Sequence, residues 1–209
     1  MDMPSFEGIL AESKDQQREH IEQLFPGREA LIKDILTLIG EDVTREGLVD
    51  TPFRVIKSWL ELYKGYRQSP ADILNCSFQE GMEKMTDEIV ICKNIEFTSM
   101  CEHHMLPFTG IAHVGYLPDK KVVGLSKIPR LVECFGCRLQ IQEKMCTQIA
   151  DSFMEFVEPA GVGVIIEAKH LCVGCRGIKK PTTSMITSAM RGKFKSQTQT
   201  RNEFLQLIK

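Results

Sequence analysis

Residues of the types that bind zinc occur in two short segments of the chain. Cys101 is followed closely by His103 and His104, and Cys172 forms a C-x-x-C motif with Cys175. Zinc prefers thiolate and imidazole ligands, and a catalytic zinc site uses three protein ligands so that water can take the fourth position. Cys101, His104 and Cys172 would supply such a set, because one turn of chain can present a cysteine and a histidine at this spacing. The pattern therefore predicts a metal site built from both segments.

The C-x-x-C motif leaves a second kind of zinc site open. If Cys175 is also a ligand, it closes a Cys3His shell of the kind that stabilises structure. Spacing does not decide between the open and the closed site. Cysteine is also common as a small buried hydrophobic residue, and the histidines beside Cys101 argue against that interpretation there. The cysteines without such neighbours are interpreted as ordinary buried residues: Cys76, Cys92, Cys134, Cys137 and Cys146.

Groups that could transfer protons flank the predicted metal ligands. His103 and His170 carry side chains whose ordinary pKa lies near neutrality, as general acid–base catalysis requires. A lone histidine is more often structural, so the pattern alone assigns them no role. Gln142 and Glu143 open a predicted helix, where such residues are typical of a solvated face or a cap. A buried carboxylate at that point could instead pair with the N–H groups of a purine.

Basic residues are candidates for binding an anionic substrate, although the chain carries a formal charge of -2. That charge predicts no general attraction to nucleic acid, so a phosphate site must gather its basic groups locally. Lys127 and Arg130 lie at a predicted helix start, where free backbone N–H groups and the helix dipole favour an anion, and Ser126 adds an N-cap hydroxyl group. The other candidates are Arg54, Lys57, Arg176, Lys179 and Lys180.

The elements that position these residues begin with a helical region. The first 26 residues are polar and are interpreted as a tail or a loosely held helix. Apolar residues then recur at helical spacing from Leu31 to Ile39. Thr51 and Pro52 predict the start of another helix, as an N-cap and a first-turn proline. Residues 27–80 are therefore predicted to be the helical part of a domain that continues to residue 209.

The predicted remainder, residues 81–209, combines strands with a pair of helices. Alternation of apolar and polar residues predicts a strand that ends near Met100, just before the cysteine–histidine segment. It also predicts a hairpin in which residues 111–116 turn through 118–120 into 122–123. Helices followed by antiparallel strands around a helix pair make the predicted fold class α+β. The other predicted elements are strands at 162–168 and 185–190, helices at 126–140 and 142–156, and a C-terminal helix with a capping box of Thr200 and Glu203.

Composition places the chain among globular proteins, since 43% of its residues are hydrophobic and 26% are charged. A length of 209 residues fits one domain with a helical appendage. No apolar run reaches the roughly 18 to 20 residues that span a bilayer, and the N-terminus is too polar for a signal peptide. The protein is therefore expected in the cytoplasm, with cysteines that are reduced or bound to metal.

The segment that holds these motifs resembles the GTP cyclohydrolase type I family. The resemblance runs from about Ala30 to the C-terminus and is closest between Ser99 and Lys180. Several matches are too long to arise by chance. They are Thr51-Pro52 with Arg54, Val55 and Lys57; Ser99-Met-Cys-Glu-His-His104; Leu106-Pro-Phe108; Val123-Gly-Leu-Ser-Lys127; Leu139-Gln-Ile-Gln-Glu143; Gln148-Ile-Ala-Asp151; Glu167-Ala-Lys-His-Leu-Cys172; Arg176-Gly177; and Thr187-Ser-Ala-Met-Arg-Gly192.

The resemblance implies a T-fold, in which antiparallel strands and paired helices of several subunits close a barrel. It further implies a homodecamer with sites at subunit junctions. One zinc ion per subunit would be held by Cys101, His104 and Cys172, while His103 and His170 would transfer protons. Guanine would be held by Gln142 and Glu143. The implied triphosphate ligands are Ser126, Lys127, Arg130 and Arg176, together with Arg54 and Lys57 of a neighbouring subunit.

The activity so implied is zinc-dependent hydrolysis and rearrangement of GTP to 7,8-dihydroneopterin triphosphate and formate, the first step of folate and pterin biosynthesis. Cys137 and Cys175 depart from the pattern, since the family usually has other residues there. Two other kinds of protein stay open: a non-catalytic oligomer that keeps the fold and its zinc, and another T-fold enzyme that acts on a related purine or pterin. His103, His170 and Glu143 favour the cyclohydrolase.

Overall fold

The structure is a computed structural model that describes residues 12–75, 77–78, 88–119 and 121–209. The chain divides into two structural units, Met1–Leu62 and Tyr63–Lys209. The division predicted between residues 80 and 81 lies outside the described residues, as do Cys76 and Lys120. None of the helices that the structure describes combines the length and apolarity required for a membrane span.

The described residues of the first unit are mainly helical. Its helices are α1 (Lys14–Leu24), α2 (Arg28–Leu38) and α3 (Thr51–Leu62), with a short 3-10 helix at Glu46–Leu48. α1 begins at a capping box, in which Ser13 accepts from the backbone N–H of Gln16 and the Gln16 side chain accepts in return. Ile21 of α1 is buried in a small apolar core with Ile32, Phe53 and Ile56. The polar N-terminal segment therefore contains a helix that is anchored by one apolar side chain.

The second unit is built on a five-stranded sheet. Its strands, in spatial order, are β5 (Leu139–Gln140), β2 (Val90–Cys101), β3 (Pro107–Leu117), β6 (Gly161–His170) and β7 (Ser184–Gly192). Neighbouring strands are antiparallel, except that β5 runs parallel to β2. A separate antiparallel ribbon joins β1 (Ser77–Phe78) to β4 (Val122–Val123). With its helices, this mostly antiparallel sheet confirms the α+β class.

Helices cover the sheet on both faces. The helices of this unit are α4 (Pro70–Leu74), α5 (Lys127–Gly136), α6 (Gln142–Phe156), α7 (Leu171–Gly174), α8 (Lys193–Ser196) and α9 (Thr198–Leu207), with a 3-10 helix at Lys64–Arg67. On one face, Met145, Ile149 and Phe153 recur at helical spacing along α6 and are fully buried in the main core. Burial of each such side chain stabilises the fold by about 1.5–3 kcal/mol. On the other face, Phe204 packs so closely that a Cβ atom at Gly115 would lie 2.7 Å from its ring.

The predicted hairpin between residues 111–116 and 122–123 is wrong. β3 does contain residues 111–116, but it pairs with β2 on one side and with β6 on the other. Because both of its edges are used, β4 pairs with β1 instead. The residual link is a hydrogen bond of 3.0 Å in which the backbone N–H of Val123 donates to the Tyr116 hydroxyl oxygen.

Two predicted helix boundaries also differ from the structure. The helix predicted at residues 126–140 ends at Gly136, because the chain then forms β5. The predicted capping box of Thr200 and Glu203 is wrong, since α9 begins at Thr198 and both residues lie inside it. The Thr200 hydroxyl donates to the side-chain oxygen of Gln197, 3.1 Å away. Local sequence located these helices but misplaced their ends by a few residues.

Candidate metal centre and active site

Strand pairing brings the two metal-binding segments to one edge of the sheet. β2 and β6 are both antiparallel to β3, so they run in the same direction and end at the same edge. Phe108 near the start of β3 pairs with Ser99 of β2 and with His170 of β6. Cys101 is the last residue of β2, and Cys172 follows β6 in α7. Residues far apart in sequence thereby become neighbours.

The turn after β2 holds Cys101 and His104 through backbone hydrogen bonds. The N–H of Cys101 donates to the Leu106 carbonyl at 2.9 Å, and the N–H of Met105 donates to the Cys101 carbonyl at 2.8 Å. Met105 has φ of 52°, in the left-handed region, which lets the chain reverse sharply into β3. The N–H of Glu102 donates to the Gln140 carbonyl of β5 at 3.0 Å. The turn is therefore held by hydrogen bonds within itself and by one to β5.

The three predicted ligands form one cluster. The sulfur atoms of Cys101 and Cys172 and a ring nitrogen of His104 all lie within 4.8 Å of one another. Cys101 Sγ lies 3.9 Å from His104 Nδ1. Around a tetrahedral zinc ion, with bonds of about 2.0–2.3 Å, ligand atoms are separated by about 3.6–3.8 Å. The donor types and their spacing therefore fit a zinc ion with only a small inward movement.

The surroundings of Cys172 change the pKa of its thiol in the absence of a metal ion. Burial raises its pKa, and the neighbouring Cys101 thiol raises it further. A dication between the two sulfur atoms would oppose both effects, because it favours thiolates. Cys101 is buried and Cys172 half-buried, whereas His104 is exposed. The cluster is thus reached from solvent on the histidine side.

Cys175 does not belong to the cluster. Among the described residues, the group that could hold a metal ion consists of Cys101, His104 and Cys172. Cys175 is exposed and stands at the C-terminal end of α7, where its backbone N–H donates to the Leu171 carbonyl at 2.9 Å. This arrangement favours the open site with three ligands over the closed Cys3His shell.

The remaining described cysteines differ from the cluster in burial and chemistry. Cys134 and Cys146 are buried, as predicted, while Cys92 and Cys137 are half-buried. Burial raises the pKa of Cys146 to about 11. It also raises the pKa of Cys134 and that of Cys137. These thiols therefore stay protonated near neutral pH, as structural cysteines do.

The two histidines predicted to transfer protons lie in the same two segments of the chain as the cluster. His103 Nδ1 lies 3.9 Å from Cys101 Sγ, and the centroid of its ring is 6.3 Å from that of His104. His170 is the last residue of β6 and stacks on Phe108, with ring centroids 4.5 Å apart and planes 5° apart. Burial lowers the pKa of His170, and the nearby Glu143 carboxylate acts in the opposite direction. His103 is therefore exposed, whereas His170 is restrained by stacking on Phe108.

Gln142 and Glu143 open α6 and differ in exposure. Glu143 is exposed, so its carboxylate is accessible to a ligand. Gln142 has no exposed surface, and its side-chain oxygen lies 2.8 Å from His170 Nε2. A direct contact between Gln142 and guanine stays a prediction, but its side chain already has partners within the protein. Neither the Gln142–His170 pair nor the stacking of Phe108 was predicted from sequence.

The predicted phosphate ligands lie at three places. Ser126 is the N-cap of α5, but its hydroxyl group makes no capping hydrogen bond, and Lys127 and Arg130 lie in or next to the first turn. Arg176 is exposed in the loop after α7, which continues through Lys179 and Lys180. Arg54 and Lys57 lie on α3 in the first unit, where Arg54 forms an ion pair of 3.6 Å with Asp50.

The fold and the cluster define a class of protein: an α+β chain in which a group of two cysteines and one histidine that could hold a metal ion lies at the edge of a sheet. The family described as GTP cyclohydrolase I matches residues 28–209, and the chain belongs to that enzyme family. A protein of Wolinella succinogenes named GTP cyclohydrolase 1 is 55% identical over 177 residues, which cover 85% of this chain and 93% of the relative.

Other similarities extend this comparison. A protein of Neurospora crassa, also named GTP cyclohydrolase 1, is 46% identical over 200 residues, which cover 95% of this chain and 61% of the relative. A crystal structure of the archaeosine synthase QueF-Like in the apo form covers 51% of this chain and 96% of its own, with a TM-score of 0.43 and 17% identity. At that level the structural likeness supports no conclusion about function.

Proposed function

We propose that the chain converts GTP to 7,8-dihydroneopterin triphosphate and formate, the first step of folate and pterin biosynthesis, with one zinc ion per subunit. Membership of the GTP cyclohydrolase I family supports the activity. The observation that carries the zinc dependence is the cluster of Cys101, His104 and Cys172, whose ligand atoms lie within 4.8 Å of one another. A zinc ion held there would act as a Lewis acid that activates water for attack on the purine.

The chain's own groups would bind the substrate and move protons around the reacting ring. His103 and His170 would exchange protons at their ring nitrogens. General acid–base catalysis requires those nitrogens to lie within hydrogen-bond reach of the substrate. The exposed Glu143 carboxylate would accept hydrogen bonds from the guanine N–H groups, and Gln142 stands beside it at the start of α6.

The triphosphate would be held where basic groups and backbone N–H groups coincide. Lys127 and Arg130 at the start of α5 combine positive charge with the helix dipole, and the Ser126 hydroxyl group faces no competing cap bond. Arg176 lies in the loop beyond α7, four residues after Cys172, and its guanidinium group would bind the same anion. The remaining ligands would be Arg54 and Lys57, contributed by a neighbouring subunit.

We further propose that subunits assemble into a T-fold barrel. The family resemblance implies that this assembly is a homodecamer. Within the described residues β7 is paired on one side only, with β6. Its outer edge offers unpaired backbone groups, and Ile186 on it is 65% exposed. An edge strand with exposed apolar residues is a ready surface for pairing with another chain. Such assembly would bring residues of two subunits to one site.

The proposed function is tested with purified, zinc-loaded protein and GTP. We expect one formate per GTP consumed, and a product that becomes fluorescent as a pterin after oxidation. Removal of zinc by a chelator should abolish both signals while circular dichroism retains most of the helix and sheet signal, because the apolar core does not depend on the metal. Folded, zinc-loaded protein that releases no formate would contradict the proposal.

The triphosphate site gives a separate prediction. Arg130→Ala and Arg176→Ala should each raise the KM for GTP by roughly 10- to 100-fold, because a charge-assisted contact contributes about 1.5–3 kcal/mol. The inhibition constant of guanosine, which has no phosphate, should change less than about threefold. Lys195→Ala, which removes an exposed cation on α8, is the matched control. Equal losses for GTP and guanosine would place these arginines outside the triphosphate site.

A further inference from the structure

The side chain of Gln142 is held in one orientation by the backbone around it. Its amide nitrogen lies 3.0 Å from the Ile166 carbonyl oxygen and 2.9 Å from the Met185 carbonyl oxygen. A third oxygen, the hydroxyl of Thr187, lies 3.2 Å away. Carbonyl oxygens only accept hydrogen bonds, so the atom that faces them must be the donating nitrogen. A flipped amide would press its own oxygen against two carbonyl oxygens in a site with no exposed surface.

This orientation fixes which atom Gln142 presents to His170. The amide oxygen lies 2.8 Å from His170 Nε2. Because an amide oxygen can only accept, Nε2 must carry the hydrogen. In a neutral imidazole the other nitrogen, Nδ1, then carries the lone pair. The hydrogen-bond network thus selects one of the two neutral tautomers of His170.

Phe108 completes the restraint on His170. The two rings are nearly parallel, with planes 5° apart and centroids 4.5 Å apart, and Phe108 is fully buried. Stacking limits tilting of the imidazole, while the bond to Gln142 fixes the direction of Nε2. Three elements converge here, since Phe108 belongs to β3, Gln142 to α6 and His170 to β6.

We infer that Gln142 is a positioning residue: through its amide oxygen it holds His170 as the Nε2–H tautomer and leaves Nδ1 as the nitrogen that exchanges protons during catalysis. The inference rests on the proposed function for its catalytic consequence, but the tautomer itself does not. It also assigns the Gln142 side chain a role that differs from direct binding of guanine. A residue that acts only through His170 should affect kcat and leave substrate affinity almost unchanged.

The kinetic test compares two glutamine-to-methionine changes on the same helix. Gln142→Met removes the acceptor while keeping similar volume, and kcat should fall by about 10- to 100-fold, with KM for GTP changed less than about threefold. Gln148→Met is the matched control, because Gln148 bonds to Gln140 at 2.9 Å and should leave both constants near the wild-type values. A rise in KM of more than about tenfold at unchanged kcat would overturn the inference in favour of guanine binding.

A spectroscopic test needs no variant of Gln142 and so does not depend on how that variant folds. Solid-state nitrogen NMR of wild-type protein with labelled histidines, minus the spectrum of His170→Asn, isolates the two His170 nitrogens from those of the other four of the five histidines. We expect a protonated Nε2 and an unprotonated Nδ1 at a pH where the ring is neutral. The opposite tautomer, or a mixture, would overturn the inference. Absence of formate release from GTP would instead defeat the proposed function and leave this signature unchanged.

Discussion

Cys172→Ser is expected to lose bound zinc and to lower turnover of GTP by at least about 10²-fold. Three of the described residues that could hold a metal ion lie in one cluster, and removal of the Cys172 thiolate leaves Cys101 and His104. Two ligands bind zinc far more weakly than three, and the Lewis-acid contribution of a catalytic metal is worth several kcal/mol. Zinc content per subunit and formate release, measured on the same sample, check both parts of this prediction.

Cys175→Ser is the matched control, since it makes the same change three residues along the chain. Cys175 is exposed and lies outside the cluster, so this variant should keep one zinc ion per subunit and most of its activity. A closed shell of four ligands would leave no position for water, which is why the two variants separate a catalytic from a structural site. Loss of zinc from Cys175→Ser, together with an inactive parent, would make the site structural and contradict the proposed function.

His103→Ala and His170→Ala are expected to lower turnover by about 10²-fold or more while zinc stays bound. Proton transfer by a positioned side chain contributes roughly 10²- to 10⁴-fold to catalysis. His104→Ala is an informative comparison, because His103 and His104 are adjacent and each has Nδ1 3.9 Å from Cys101 Sγ. Of the two, His104 belongs to the group that could hold a metal ion. Only His104→Ala should release zinc. Single-turnover formate release and zinc content distinguish the three variants.

Two controls test whether a loss of turnover comes from the loss of a histidine in general or from unfolding of the variant. His20→Ala removes a histidine of α1 in the first unit and should leave turnover near the wild-type rate. Thermal unfolding checks that His170→Ala, which removes the partner of the buried Phe108 ring, is folded at the assay temperature. Turnover near the wild-type rate with full zinc content would remove the altered histidine from the mechanism.

Much of the secondary structure follows from local patterns. Alternation of apolar and polar residues predicted the strand that the structure contains as β2, because alternation determines which residues face a core. A run of β-branched residues predicted β6, and a strand was also predicted where the structure contains β7. The helices α5 and α6 were likewise predicted, although the first was extended too far. The hairpin into β4 failed for a different reason. Alternation identifies a strand but not its partner, and β3 had already been paired on both edges by β2 and β6.

The sequence by itself determined which residues could form the metal centre. Residue type selects the ligands of zinc, and the short interval from Cys101 to His104 places both in one turn of chain. The remainder of the motifs, through the resemblance they carry, pointed to the GTP cyclohydrolase I family, to which the chain belongs. These conclusions depend on residue types and on spacing within short segments, so they can be drawn without knowledge of the fold.

Only the tertiary structure decided how the separate segments meet. Cys172 reaches Cys101 because β3 pairs with both β2 and β6 in a register that aligns their ends. Cys175 stays outside the cluster because α7 turns it toward solvent. The buried network of Gln142 and Phe108 around His170 has no signature in sequence, since it depends on the orientation of one amide among backbone carbonyls from β6 and β7. Such contacts follow from register and packing, which no local spacing encodes.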